Sequence, residues 1–272
     1  MNGFGLFLGS DVMHAQLPKL LRRQILTAPA ASLLVAAAPL QKGSYALADV
    51  LTLSAAVALA KEGEIIHVAA GTYRERLLIS HPVTLQAWPP GADVTIVWET
   101  DRPYESVVQS SGVGVHLIGL KLRHSSPSVA NNYAVFMQGG SLLLEDCDIS
   151  SATGSGVGSE GGQLSLIRCN VHQCKRHGVA MFGDLEGSEG EVLLQECSIS
   201  GNELNGLLVA DNAHMILKGG RISRNGWHGV YVKDGIADFE GNIFERNGQG
   251  AWSAGESAVI DLLAVARTNT CI

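Results

Sequence analysis

Along the second half of the chain, apolar positions return in one pattern, apolar-x-apolar-x-x-small-x-apolar. It fits Val115, Leu117, Leu120 and Leu122, then Leu142, Leu144, Cys147 and Ile149, then Leu164, Leu166, Cys169 and Val171. Further copies are Val192, Leu194, Cys197 and Ile199, then Met215, Leu217, Gly220 and Ile222, then Ala237, Phe239, Asn242 and Phe244. Each copy alternates with period two, so each opens on a short strand. A second element follows after a turn: Ala134-x-Phe136, Val157-x-Ser159, Val179-x-Met181, Leu207-x-Val209 and Val230-x-Val232. A unit of roughly 22 residues holding several short strands is too short for the common helical repeats, and it points to stacked parallel β coils.

The predicted fold class is therefore all-β, a right-handed parallel β-helix solenoid with an N-terminal cap helix. Coils stacked about 4.8 Å apart turn equivalent residues into columns. Leu144, Leu166, Leu194, Leu217 and Phe239 form one inward column, and Cys147, Cys169 and Cys197 another, continued by Gly220 and Asn242. Side chains stacked this way point in parallel, a poor geometry for a disulfide, so the cysteines are expected as buried free thiols. Asn202, Asn225 and Asn247 form a column at a turn, where Asn satisfies backbone groups left open by the sheets. A first coil also needs a cover for its open edges. Leu47, Val50, Leu51, Ser54, Val57 and Ala58 share one helical face, followed by Lys61-Glu62-Gly63 as a stop, so a cap helix is predicted over 46–62.

The domain reading is then a lead-in or export signal over 1–43, a β-helix over 44–254 and a tail over 255–272. Lys19, Arg22 and Arg23 before Ile25-Leu26 and Ala36-Ala37-Ala38 read either as a helical lead-in or as a twin-arginine-like leader with a small-residue cleavage site. The expectation is a cytoplasmic protein, with export as the alternative. The apolar stretch from Ile25 to Leu40 contains Pro29 and Pro39 and is short for a bilayer span of about 20 residues, so no membrane association is expected. A formal charge of −7 with 19 scattered Lys and Arg residues gives no footprint for nucleic acid. The acidic insertion between Gly183 and Gly190 offers Asp184, Glu186 and Glu189 but lacks the fixed ligand spacing of a calcium loop. No metal and no cofactor are expected.

The cap, Ile66-His67-Val68, then Gly71-Thr72-Tyr73-Arg74-Glu75, Ile79 and Pro82-Val83-Thr84-Leu85 resemble the first coils of the pectin-lyase-like superfamily. The repeats at 142–253 resemble the carbohydrate-binding and sugar-hydrolase β-helix repeats, including those of F-box β-helix ubiquitin-ligase adaptors. The resemblance implies the fold over about residues 44 to 253, and activity less directly. Leu17-Pro18, Leu20-Leu21 and Ile25-Leu26 echo an F-box opening, which leaves a substrate-binding fragment of such an adaptor as one alternative function.

Enzymes of this superfamily place carboxylates and a basic residue on one outward face, since lyases abstract a proton and hydrolases need a paired acid and base. If the chain is a polysaccharide lyase or glycoside hydrolase, the residues to carry catalysis are Asp146, Asp148, Glu196 and Arg221. Polygalacturonase-like and methylesterase-like motif sets are both incomplete: His177-Gly178 and His228-Gly229 lack a leading Gly, and Arg221-Ile222-Ser223 precedes the second His. The preferred reading is a non-catalytic recognition module that binds protein or glycan along a stacked face. Its expected ligand-binding residues are His177, Asn205, Trp227, His228 and Tyr231. Val135, Ala180, Leu208 and Tyr231 on one face, and Leu143, Leu193 and Ile216 on another, are expected as outward apolar stripes.

Overall fold

The computed structural model describes the backbone of residues 32–35 and residues 52–127, 132–183 and 190–272. The chain passes eight times through three parallel sheets, which wrap one continuous apolar core. The first sheet runs from Ser32–Val35 and Glu64–Ala69 to Ile236–Glu240. The second begins at Gly71–Tyr73 and the third at Leu77–Ile79, ending at Gly250–Ala254. Every strand pairing is parallel, so the fold is the expected β-helix, and it extends into the N-terminal half where the repeat is faint.

The register follows the apolar columns. Ile66, Leu85, Leu117, Leu144, Leu166, Leu194, Leu217 and Phe239 lie one above another on the first sheet, all buried. At the bend into the second sheet, Cys147, Cys169 and Cys197 are buried free thiols. Their sulfurs donate to the carbonyls of Leu117, Leu144 and Leu166, at 3.4, 3.4 and 3.3 Å. Asn242 and Asn269 occupy the same place later in the stack and donate from their amides to Leu217 and Phe239 at 2.9 and 3.1 Å. Apart from Gly220, which has no side chain to offer, these later members of the column donate to the coil beneath them. At the next bend, Asn202 Nδ2 donates to Asn225 Oδ1 (2.8 Å) and Asn225 Nδ2 to Asn247 Oδ1 (2.9 Å), a buried ladder as expected.

Helix α1 (Leu53–Leu59) covers the N-terminal end with Leu53, Ala56 and Val57 buried. It is shorter than the expected 46–62, and its buried face is not the expected one: Ala58 is exposed and Ser54 half-buried. The reason is tertiary. Thr52 caps the first turn, and Glu75, far along the chain, accepts from the Leu53 and Ser54 amides at 3.0 and 2.8 Å. Leu47, Val50 and Leu51 lie outside the described residues, as do residues 1–31 with the leader-like and F-box-like motifs, and Asp184, Glu186 and Glu189. Ser32–Val35 is a strand paired with Ile65–Val68, where a helical lead-in was expected.

At the other end, residues 255–272 are part of the solenoid. Asp261 caps helix α2 (Leu262–Thr268), which buries Val265, and Thr270–Cys271 adds a last strand beside Ile243–Phe244. Cys271 is exposed on this terminal strand, which corrects the expectation that all five thiols are buried. Among the described residues, no helix is long and apolar enough to cross a membrane.

A second correction concerns the third sheet. Tyr133–Gln138 pairs with Val135 opposite Val157 and Met137 opposite Ser159. Val135 and Met137 therefore face the core and Phe136 turns outward, one position out of phase with the expected Ala134-x-Phe136. Ala134, Val135, Phe136 and Met137 are all apolar, so alternation there has no phase, and the neighbouring coils set the register.

Replacing Leu194 by Ala is expected to cost about 2–5 kcal/mol, because it opens a cavity in a fully buried column. Replacing it by Asp should abolish the cooperative thermal transition, and a melting point unchanged from the parent would refute this register. Thiol labelling of the native protein should modify Cys271 quickly. Cys147, Cys169, Cys174 and Cys197 should react only after denaturation, since all four are buried out of reach of the reagent and burial pushes the Cys174 thiol up to about 12.

Candidate functional site

The outward face of the third sheet gathers the residues expected to bind a ligand. Ser155, His177, Asn205 and His228 form a column where each coil enters that sheet. The His177 amide donates to Ser155 Oγ (3.2 Å), Asn205 Nδ2 lies 3.4 Å from His177 Nδ1, and the His228 amide donates to Asn205 Oδ1 (3.0 Å). Burial, and then the charge of Arg176, push His177 down to about 4, so the ring is neutral near pH 7 and its Nδ1 is free to accept from Asn205. Burial also lowers His228.

Three residues further along each strand, Phe136, Gly158, Ala180, Leu208 and Tyr231 form the neighbouring outward column. Tyr231 stacks on His228 with ring centroids 6.0 Å apart. At the other end Tyr133 stacks on Phe136 at 5.3 Å. Gly158 is required there, since a Cβ would lie 2.6 Å from the Tyr133 ring. Ala180 is 1% exposed, so the stripe is accessible at Leu208 and Tyr231 more than at its middle. Trp227, in the turn before His228, is 45% exposed. The face thus has an aromatic pair at each end and small side chains between them; along one side Ser155 and Asn205 are buried, at 3% and 1% exposed, which leaves His177 and His228 as the partly exposed hydrogen-bonding groups. From Phe136 to Tyr231 it spans four coil steps, roughly 19 Å.

The four carboxylate and arginine candidates lie elsewhere. Asp146 and Glu196 occupy the bend between the first and second sheets in left-handed conformation, at φ 53° and 55°, with Arg168 between them at 51°. The equivalent positions in other coils are Gly119, Gly219 and Gly241, so this is a turn column before it is anything else. Arg168 holds Asp146 with two bonds of 2.9 Å. Asp148 stands on the outer face of the second sheet. Burial raises its pKa, but hydrogen bonds from Asn170 (2.9 Å), His172 (3.1 Å) and Arg123 outweigh that and hold the carboxyl below its ordinary range. Arg221 shares that column three coils away, roughly 14 Å, and is paired with Glu245 at 2.6 Å. The four residues do not meet in one groove. Among the described residues no group of three or more His, Cys, Asp or Glu side chains is arranged to hold a metal ion.

A family model for the right-handed β-helix region matches residues 106–263. The chain belongs to the right-handed β-helix family. Among solved structures, this β-helix is similar to pectate lyase Pel9A, at 13% identity over 85% of this chain and 78% of that one, with a TM-score of 0.53. It is also similar to the pectin methylesterase from Aspergillus niger, at 14% identity over 88% of this chain and 94% of that one, TM-score 0.52. For the rice weevil pectin methyl esterase the values are 12%, 82%, 84% and 0.55. These likenesses establish the pectin-lyase-like fold. Comparison with curated proteins gave no match.

The β-helix also has a cleft that the repeat pattern does not mark, of about 680 Å³, lined by Trp98–Arg102, Glu105 and Ser125–Pro127. It lies in the turns between the second and third sheets of the second and third coils. Glu105 accepts from Thr100 Oγ1 (2.6 Å) and Trp98 Nε1 (3.2 Å), and Arg76 approaches it at 3.5 Å. The hydrogen bond from Thr100 is the leading cause that lowers the Glu105 pKa. The visible signal in the sequence was the unusually long connection from Glu99 to Val108. Tyr133 and Phe136 were missed because the apolar run around them hides its phase.

The His177 environment makes stability depend on pH. The unfolded ring titrates near 6.5 and the folded one near 4, so between these values the unfolded chain binds the extra proton and stability rises with pH. Urea denaturation at about pH 4.5 and about pH 7.5 should show the parent losing more stability on acidification than His177→Asn, the variant that copies Asn205 of the next coil. Equal losses would show that His177 is not the group responsible.

Proposed function

We propose that this β-helix is a non-catalytic recognition module whose third-sheet face binds an extended glycan. The observation that supports the reading best is the Tyr231–His228 stack beside the hydrogen-bonded His177–Asn205–His228 column, with exposed Trp227 in the turn that leads into it. Aromatic rings offer area for the apolar faces of sugar rings, while the partly exposed imidazoles of His177 and His228, held by buried Asn205, orient hydroxyls. A track of roughly 19 Å along parallel coils suits a linear ligand with a repeat of its own. That several structures of this fold are named as pectate lyase and pectin methylesterase favours a glycan over a protein partner.

Against an enzyme of the lyase or hydrolase type stands the placement of the carboxylates. A glycosidase acid–base pair faces one bond from two sides with the sugar between them. Arg168 stands between Asp146 and Glu196 and pairs with Asp146, and Asp148 is already satisfied by Arg123, Asn170 and His172.

A glycan array probed with the full chain tests the proposal. The double variant Trp227→Ala/Tyr231→Ala, with an unchanged melting point, is expected to lose at least tenfold in affinity for any glycan captured, about 1.4 kcal/mol. The triple variant Asp146→Asn/Asp148→Asn/Glu196→Gln should bind as the parent does. Dependence on the carboxylates with indifference to the aromatics, or turnover of the captured glycan, would overturn the reading. Capture of a protein through the same two aromatics with no glycan bound would replace the ligand class.

A further inference from the structure

The cleft at the second and third coils is a concave, built feature that the third-sheet reading does not use. Its lining is acidic. Glu99, Asp101 and Glu105 stand against Arg102. Arg74 and Arg76, outside the lining, reach Glu99 at 3.4 Å and Glu105 at 3.5 Å, and Arg102 approaches Glu105 at 4.0 Å. An isolated anion therefore meets no surplus of positive charge. The polar groups are also held in place. Glu105 is fixed by Thr100 and Trp98, and its own carbonyl lies 2.9 Å from His124 Nε2. Trp98 lies at the end of a strand, packs on the core and lines the cleft, so its indole is a rigid apolar wall. Thr100 Oγ1 also accepts from the Arg102 amide at 3.1 Å, which shapes the loop that forms the rim.

We propose that this cleft is a separate binding subsite for a neutral hexose. A rigid indole gives the sugar ring an apolar surface, and Arg102 and the carboxylates at the rim offer donors and acceptors to adjacent hydroxyls. The acidic lining disfavours a uronate, whose carboxylate would need a guanidinium not already engaged by Glu99 or Glu105. The subsite is independent of the third-sheet face, because Trp98 and Glu105 belong to the second coil and Trp227 and Tyr231 to the seventh.

The test is saturation-transfer NMR with titration calorimetry of the full chain, using the methyl glycosides of glucose, galactose and mannose and, separately, glucuronate and galacturonate. At least one neutral glycoside should bind in the millimolar range, and the uronates more weakly. Arg102→Ala, at a side chain 78% exposed, and Thr100→Ala are expected to weaken binding about tenfold while the fold persists. Trp98→Ala should remove binding, though this wall also packs on the core, so the two rim variants decide. Trp227→Ala/Tyr231→Ala should leave it unchanged. The proposal is overturned if no neutral glycoside binds, if a uronate binds better, or if neither rim variant weakens binding. Loss of binding in the Trp227/Tyr231 variant alone would move the sugar to the third-sheet face and reject the cleft. Loss in the rim variants alone would support the cleft and leave the third-sheet reading to its own array.

Discussion

Each coil of this protein is held by the parallel backbone pairing of the coil before it, and that pairing forces equivalent side chains into register. Every inward position must therefore suit the residues above and below it as well as its own strand. The leucine column from Ile66 to Phe239 meets this with apolar volume alone. The bend columns meet it with a donor, and here two chemistries are interchangeable. Cys147, Cys169 and Cys197 reach the carbonyl of the preceding coil with a thiol, and Asn242 and Asn269 do so with an amide. Either residue gives a buried carbonyl a partner, which explains why the column accepts both, while Gly220 between them offers none.

The same constraint leaves the outward positions free to differ, and the molecule uses its faces differently. Near the first bend the outward charges pair with one another, as Arg168 does with Asp146 and Arg123 with Asp148. Such partly exposed pairs contribute little stability individually, but they occupy the carboxylates. The third sheet carries no comparable ion pairs along its central column, where Gly158, Ala180 and Leu208 separate two aromatic pairs. Small side chains in the middle and rings at the ends make a surface on which shape and stacking, more than charge, decide what binds.

A solenoid must also end. The first coil is covered by α1, anchored through Glu75, and the last by α2 and the strand Thr270–Cys271. Both caps are tertiary constructions: the residue that satisfies the α1 amides comes from the turn after the first coil's second strand. Asn269 completes the thiol and amide column from a segment with no repeat pattern of its own.

The repeat from Val115 to Phe244 was legible because inward positions alternate with polar ones at a constant offset, so Leu194 or Ile149 could be placed inside from the sequence alone. The asparagine ladder was legible for the same reason, since Asn202, Asn225 and Asn247 recur at one offset from each strand. Where the alternation is lost, as at Ala134–Met137, the sequence has no phase, and only pairing with Val157 and Ser159 decided that Val135 turns in and Phe136 out. The third-sheet residues were individually nameable, but their alignment depends on the stacking of separate coils. The cleft was beyond reach of any periodic reading, because Trp98, Thr100 and Glu105 lie in an insertion whose contacts are set by the walls that the neighbouring coils build around it. What the sequence determined by itself was the repeating unit and its buried columns, because burial with period two is a local property. What only the tertiary structure decided was the phase of continuous apolar runs, the caps and the cleft, because each rests on contacts between residues distant along the chain.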